Sequence, residues 1–395
     1  MSSKPELLYL SPVIPALAGN GLAMRAGMVL EALAEHYSIS LLVVSLYPPF
    51  AARVPDAFER LCLRTVVTTP SQFARTKVSF LPQFLSRPFG RRPYHGSRFD
   101  VVHVFRLSMM PYARPFLNVP SGAPKGHLDL DDIESETHRR IAALCRLNKD
   151  GLRAAYYEME ARRYEALEEE VLREFDRVYV CSEGDKARLH TADHGRDLCV
   201  LPNAVRLPDA ARCDANEGVF TFLFVGTLGY YPNEDAVQYF GSEVLPHIRR
   251  LTRSDLAVNI VGSGAGPRLR QMAVDYGMQM IGEVPDIAPW YQNSTAVVVP
   301  VRAGGGTRIK VLEAFSHRRA VISTSIGMEG IDAIDDAHVL IANTPEVFAE
   351  RCVRLMADRV LRDRLAENAF SLFRQCYSAE AIKRTIASLS VSAIL

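Results

Sequence analysis

The chain has 395 residues, 48% hydrophobic and 23% charged, a balance that excludes a disordered or fibrous protein and predicts two to three domains at roughly 150 residues each. Lys plus Arg (46) nearly cancel Asp plus Glu (45), so no overall field draws nucleic acid or an anionic membrane, and any such affinity is local. The seven cysteines (Cys62, Cys145, Cys181, Cys199, Cys213, Cys352, Cys376) are scattered and never spaced C-x-x-C, which signals neither a zinc site nor a disulfide framework and fits a reducing, cytoplasmic compartment.

At the N-terminus, Lys4, an apolar stretch and Ala16-Leu17-Ala18 imitate a secretion signal, but Pro12 and Pro15 interrupt it. Leu7–Leu10 followed by Ser-Pro reads instead as a buried strand entering a loop. No run reaches the roughly 18 to 20 apolar residues of a membrane span. Short apolar runs then alternate with amphipathic stretches, the pattern of a parallel sheet covered by helices on both faces. In the first half the strands are Leu7–Leu10, Ser40–Ser45, Val101–Val104 and Val178–Cys181, with helices at Met24–His36 and Tyr156–Phe175. Periodicity fails between Pro202 and Gly218 and then restarts. Strands follow at Phe220–Val225, Ala257–Val261, Ala296–Val301 and Ala320–Ser323, with helices over 233–252 and 307–318. The expected organisation is a domain at 1–205, a linker at 206–218, a domain at 219–378 and a helix at 379–395 able to cross back to the first domain. Two such sheets leave a cleft at the carboxyl ends of their strands, where open α/β sheets bind ligands. Trp290, in an apolar segment, reads as core.

The stretch Val297–Phe315, VVVPVRAGGGTRIKVLEAF, predicts a buried strand, a triple-glycine loop (Gly304, Gly305, Gly306) and a helix starting near Thr307. Such a loop can cradle an anion, because glycines let backbone amides approach a phosphate and the helix start adds its own amides and dipole. Arg308 and Lys310 add two cations, and Glu313, one turn on, offers a carboxylate to the paired hydroxyls of an attached sugar. The same letters also fit a flexible loop, an N-cap Thr307 and a solvated Lys310/Glu313 pair.

This stretch resembles the donor site of the retaining, nucleotide-sugar-dependent transferases of GT-B fold known as glycosyl transferases group 1. Similar landmarks run along nearly the whole chain: VYVCSE (Val178–Glu183), VLPNAV (Val200–Val205), FLFVGTLGYYPNEDAVQYF (Phe222–Phe240), IVGSGAG (Ile260–Gly266) and IGEVPDIAPWY (Ile281–Tyr291). The resemblance implies two Rossmann-like doubly wound domains, Glu313 on the nucleotide ribose, the turn Gly282, Glu283 and Val284 around the base, and Gly226 and Thr227 beside the donor. It also implies a UDP- or GDP-linked sugar as co-substrate, a glycan or lipid-linked acceptor in polysaccharide or glycolipid synthesis, and transfer with retention. Two positions depart from the family. Gly305 stands where a first glutamate, eight positions before Glu313, contacts the transferred sugar, and Thr227 replaces an arginine. A subset of the family resembles this chain in GGGTR-x-K, which implies that Arg308 and Lys310 take over the diphosphate.

In the first half, Gly19, Asn20 and Gly21 follow the first strand and precede a helix; the family has a phosphate- and acceptor-facing glycine loop there, although a bare Gly-Asn-Gly also makes a turn. Asp132, in LDLDDIES with Asp131 and Glu134, fits a helix-capping residue or an acceptor ligand. His103, in DVVHVF, fits a core histidine or an acceptor contact, and Arg106 shares that ambiguity. The run 87–98 holds four arginines with Phe89 and Tyr94 and no acid, which fits a basic surface loop or a peripheral contact with the inner face of a membrane. Asp129 and Asp131 spell Asp-x-Asp but read as strand-borne, so no metal is expected: charge growing on the leaving diphosphate would meet Arg308 and Lys310 instead. Three competing readings are a nucleotide-sugar epimerase of the same fold, a dinucleotide oxidoreductase using Gly262-Ser263-Gly264, and a degenerate binding subunit.

Overall fold

Near-continuous runs of Val, Ile and Leu make strands of parallel sheets, because such strands are buried on both faces. The structure, a computed structural model, describes residues 4–46, 53–69, 93–94, 96–119, 122–189, 197–208 and 219–391. Cys213, most of the linker 206–218 and most of the basic run 87–98 lie outside the described residues.

The first of two units comprises residues 1–133, 164–204 and 379–395. Its strands are β1 (Glu6–Ser11), β2 (Ser38–Val44), β3 (Cys62–Thr68), β4 (Val101–Phe105), β5 (Lys125–Asp129), β6 (Arg177–Val180) and β7 (Asp197–Val200), in a seven-stranded sheet ordered β3-β2-β1-β4-β5-β6-β7. All pairings are parallel. The order reverses between β1 and β4, the switch point at which such sheets open a crevice. One sheet face is apolar, carrying Leu8, Leu10, Val102, Val104, Leu128, Val178 and Val180. The other is unusually polar for a core. Tyr9 pairs in register with His103 and His103 with His127, and the two rings of Tyr9 and His103 stack with centroids 5.1 Å apart. The helices Gly21–Ala34 and Ala379–Val391 bond into this face: Tyr9 Oη donates to the Ala26 carbonyl at 3.2 Å and Arg177 Nη1 to the Leu389 carbonyl at 2.7 Å.

The second unit comprises 134–163 and 205–378. Its strands are β8 (Phe220–Val225), β9 (Leu256–Val261), β10 (Gln279–Gly282), β11 (Ala296–Val299), β12 (Ala320–Ser323) and β13 (Leu340–Ile341), ordered β10-β9-β8-β11-β12-β13 and again all parallel. The switch point lies between β8 and β11. Residues 134–163, expected in the first domain, belong to this unit. The physical reason is that Ile141, Leu144, Cys145 and Ala154, from the helices Glu134–Leu147 and Gly151–Leu172, pack into one buried cluster with Ala303. Trp290 is half-buried, and its neighbour Tyr291 takes the core position. Among the described residues no helix is long and apolar enough to cross a membrane.

Candidate functional site

The loops that leave β8, β10 and β11 bring together the residues singled out in the second half. The helix after the glycine loop is Ile309–Ser316 with Arg308 at its N-cap, so it starts two residues beyond Thr307, and Thr307 is not the cap. Arg308 instead turns back, donating through Nη1 to the Gly305 carbonyl. Gly304 and Gly306 take φ of +115° and +65°, a region that favours glycine.

Lys310 is not on a solvated face. Its ammonium donates to Asn233 Oδ1 at 2.7 Å and sits 4.3 Å from the centre of the Phe224 ring, an arrangement that holds the cation by hydrogen bond and ring quadrupole together. Gly226, the residue after β8, lies so near that a Cβ there would fall 2.7 Å from the Lys310 nitrogen, so a larger residue would push the ammonium aside. Asn233 is oriented in turn by donating to the Thr227 carbonyl at 2.9 Å. Burial pushes the Lys310 ammonium down to about 7, and the Arg308 charge adds to the depression.

Glu313 is 6% exposed and accepts from Tyr291 Oη at 2.9 Å, while the Tyr291 ring stacks on His317 at 5.1 Å. Burial pushes its carboxyl up to about 7, against the pull of the Tyr291 hydrogen bond and Lys310. Gly282 takes φ +88° and its carbonyl accepts from the Gly262 amide at 2.8 Å, leaving Glu283 exposed and Val284 half-buried at the turn. Gly262 is committed to backbone packing, since a Cβ there would fall 1.8 Å from the Gly226 carbonyl oxygen; that explains the Gly-Ser-Gly without a dinucleotide.

In the first unit, Asn20 is a helix cap: its side chain accepts from the Ala23 amide at 2.8 Å, between Gly19 (φ +107°) and Gly21, the first helical residue. His103 is corrected to a core residue. It is 1% exposed among Tyr9, His127 and Tyr179, and burial holds its imidazole well below the usual range, so it is neutral and presents no nitrogen to solvent. Asp132 is half-buried just past β5, its amide donating to the Leu130 carbonyl at 2.6 Å. Asp131, at φ +58°, accepts from Arg106 and from Asn203, each at 3.1 Å. Asp129 is fully buried against Arg25, whose Nη2 lies 2.7 Å from Oδ1 and whose Nε donates to Oδ2 at 3.0 Å. Sequence reasoning missed Arg25, because an arginine within an amphipathic helix reads as exposed. It also missed Asn233 and Tyr291, which stand within quoted landmarks but carry no signal apart from that. Among the described residues no three His, Cys, Asp or Glu side chains are placed to hold a metal ion.

Residues 219–358 match the family Glycosyl transferases group 1. That segment is most of the second unit and holds every residue of the glycine loop and its neighbours described above. A curated relative, an uncharacterized 44.6 kDa protein in the cps region of Klebsiella pneumoniae, is 24% identical over 172 residues; the alignment spans 42% of this chain and 44% of the relative, less than half of each. Similar solved structures cover the whole fold at low identity. Sucrose-phosphate synthase from Thermosynechococcus elongatus is 15% identical, with 99% of each chain covered and a TM-score of 0.72. Trehalose 6-phosphate synthase from Burkholderia multivorans is 13% identical over 100% of this chain and 97% of its own, with a TM-score of 0.66. Anabaena HepE, solved with UDP and glucose, is 12% identical over 98% of this chain and 100% of its own, with a TM-score of 0.64. The fold is GT-B.

Proposed function

We propose that this protein moves a sugar from a nucleoside diphosphate to an acceptor hydroxyl with retention and without a metal, holding the donor at the switch point of the second unit. The observation that carries the reading is Lys310. A cation seated on Phe224, Gly226 and Asn233, at the start of a helix and one turn before a buried carboxylate, is what a diphosphate joined to a ribose requires. Lys310, Arg308 and the first amides of the helix would meet the charge that grows on the leaving diphosphate as its bond to the anomeric carbon lengthens. Glu313, positioned by Tyr291, would accept from the ribose hydroxyls, and Gly282, Glu283 and Val284 would flank the base. On retention, the acceptor hydroxyl attacks from the leaving-group side and its proton passes to the departing phosphate, so no protein nucleophile is needed. Gly19, Asn20, Gly21 and Asp132 remain the candidates for the acceptor side, with a glycan or lipid-linked acceptor, and 87–98 for membrane contact.

Thermal unfolding with UDP, GDP, ADP, TDP, CMP and NAD, each with EDTA and again with magnesium, tests this reading. One diphosphate at 100 times its dissociation constant should stabilise the protein by ~2.7 kcal/mol in EDTA. Stabilisation only with magnesium overturns the metal-free site, and a flat panel overturns the donor site. Glu313→Ala should weaken the stabilising diphosphate by about 1 to 3 kcal/mol through lost charged hydrogen bonds.

Binding should also take up protons. With the Lys310 ammonium at about 7, the site is largely neutral at pH 8, and an arriving diphosphate favours the charged form. Binding enthalpies measured at pH 8 in buffers of different ionisation enthalpy should therefore differ in the direction of uptake, and affinity should fall as pH rises. Buffer-independent enthalpies would show that Lys310 does not face the ligand.

A further inference from the structure

One arginine from the helix Glu134–Leu147 is spent on the glycine loop. Arg140 Nη1 donates to the Gly304 carbonyl at 3.2 Å and to one oxygen of Glu329, while Nη2 donates to the other Glu329 oxygen at 2.9 Å and Nε to Glu136 at 2.9 Å. Because one nitrogen serves both, the Gly304 carbonyl and the Glu329 carboxylate lie within roughly 6 Å of each other, two hydrogen-bond lengths. The next residue reinforces the juxtaposition. Gly330, at φ +79°, approaches Thr307 so closely that a Cβ there would fall 2.9 Å from Thr307 Oγ1. Thr307 is 8% exposed and its hydroxyl has no partner within the protein. The loop's three glycines offer no side-chain acceptor, so Glu329, with 23% of its side chain exposed, is the carboxylate fixed beside them. Arg140 itself, committed to two carboxylates and a carbonyl, is not a phosphate ligand.

Resting on the donor site proposed above, we infer that Glu329 forms the subsite for the hydroxyls of the transferred sugar, with Arg140 as the residue that positions Glu329. Neighbouring sugar hydroxyls are matched donors for a carboxylate. The bidentate pair fixes the carboxylate plane, so the subsite discriminates by hydroxyl geometry.

The test compares affinities for UDP with UDP-glucose and for GDP with GDP-mannose, by calorimetry, on wild type, Glu329→Gln, Glu329→Asp and Arg140→Lys. Each variant should bind the bare diphosphate within about twofold of wild type yet lose roughly tenfold on the sugar nucleotide, the effect of one charged hydrogen bond. A generally loosened fold would lower both together. Should Glu329→Gln fail to fold, Glu329→Asp keeps the charge, retracts the carboxylate by one methylene and carries the same expectation. An unchanged ratio of the two affinities in folded variants overturns this subsite and leaves the donor site standing. Wild type that binds no nucleoside diphosphate overturns both.

Discussion

Asp129→Ala should destabilise the first unit by about 3 to 5 kcal/mol, the cost of leaving one member of a buried ion pair uncompensated. Arg25 is 2% exposed on the helix Gly21–Ala34, and its guanidinium reaches Asp129 at the end of β5, the Leu201 carbonyl at 3.1 Å and Asn203 Oδ1 at 3.2 Å. Burial by itself would lower the arginine's proton affinity; the carboxylates of Asp129 and Asp131 more than reverse that and keep it charged. Without Asp129 the charge remains, sharing only neutral acceptors and Asp131, whose carboxylate lies 3.6 Å away. Denaturant unfolding followed by far-UV circular dichroism reads the loss directly. The double variant Arg25→Met/Asp129→Leu should recover most of it, since a packed apolar pair replaces a desolvated one. A cost below about 1 kcal/mol for Asp129→Ala would mean that water reaches the pair.

The second large effect is expected at Lys310, with opposite signs in two assays. Lys310→Met keeps the stem against Phe224 and deletes the charge, and should lower turnover by about 10²- to 10³-fold, the range found when one preorganised charge stabiliser is removed. The same variant should unfold at a higher temperature near neutral pH, because burial disfavours the ammonium there. The sign follows from linkage: the ordinary value of 10.5 falls to about 7 on folding, so between those values the unfolded chain binds more protons and stability rises with pH. Lys310→Met should lack that rise. Glu313 contributes the reverse below it, since a carboxyl raised from 4.5 to about 7 stabilises the folded state at low pH and gives that up as pH climbs to 7. Release of nucleoside diphosphate from a nucleotide sugar measures turnover. A variant equal to wild type in that assay would remove Lys310 from the reaction.

The architecture was legible because central strands of a parallel sheet are buried on both faces and so stand out as apolar runs. Of the strands given no range from sequence, β3, β7, β10 and β13 are the four sheet edges, and the central β5 was read only as the strand bearing Asp129 and Asp131. Burial of the edges is partial, and they carry Arg64, Asp197 and Gln279, so the signal that marks a strand is diluted at its source. At the candidate site, Arg308, Lys310 and Glu313 were legible because loop, cations and carboxylate are contiguous in sequence. Asn233, Tyr291, Arg140 and Glu329 were not, since each meets the loop from a distant segment through one side chain. His103 shows the converse limit. A histidine in an apolar strand has the same letters whether it is stacked in a core or aimed at a ligand, and only the facing Tyr9 and His127 decide.

The helix Ala379–Val391 has a consequence for biosynthesis. It belongs to the first unit, yet it leaves the ribosome after all of residues 1–378, so the second unit can mature while the first still lacks a part. Until that helix arrives, Arg177 has no Leu389 carbonyl to bond and the polar row Tyr9, His103 and His127 is covered only in part. Premature termination near residue 378 would leave that polar row without its second covering helix, with the glycine loop of the second unit already in place.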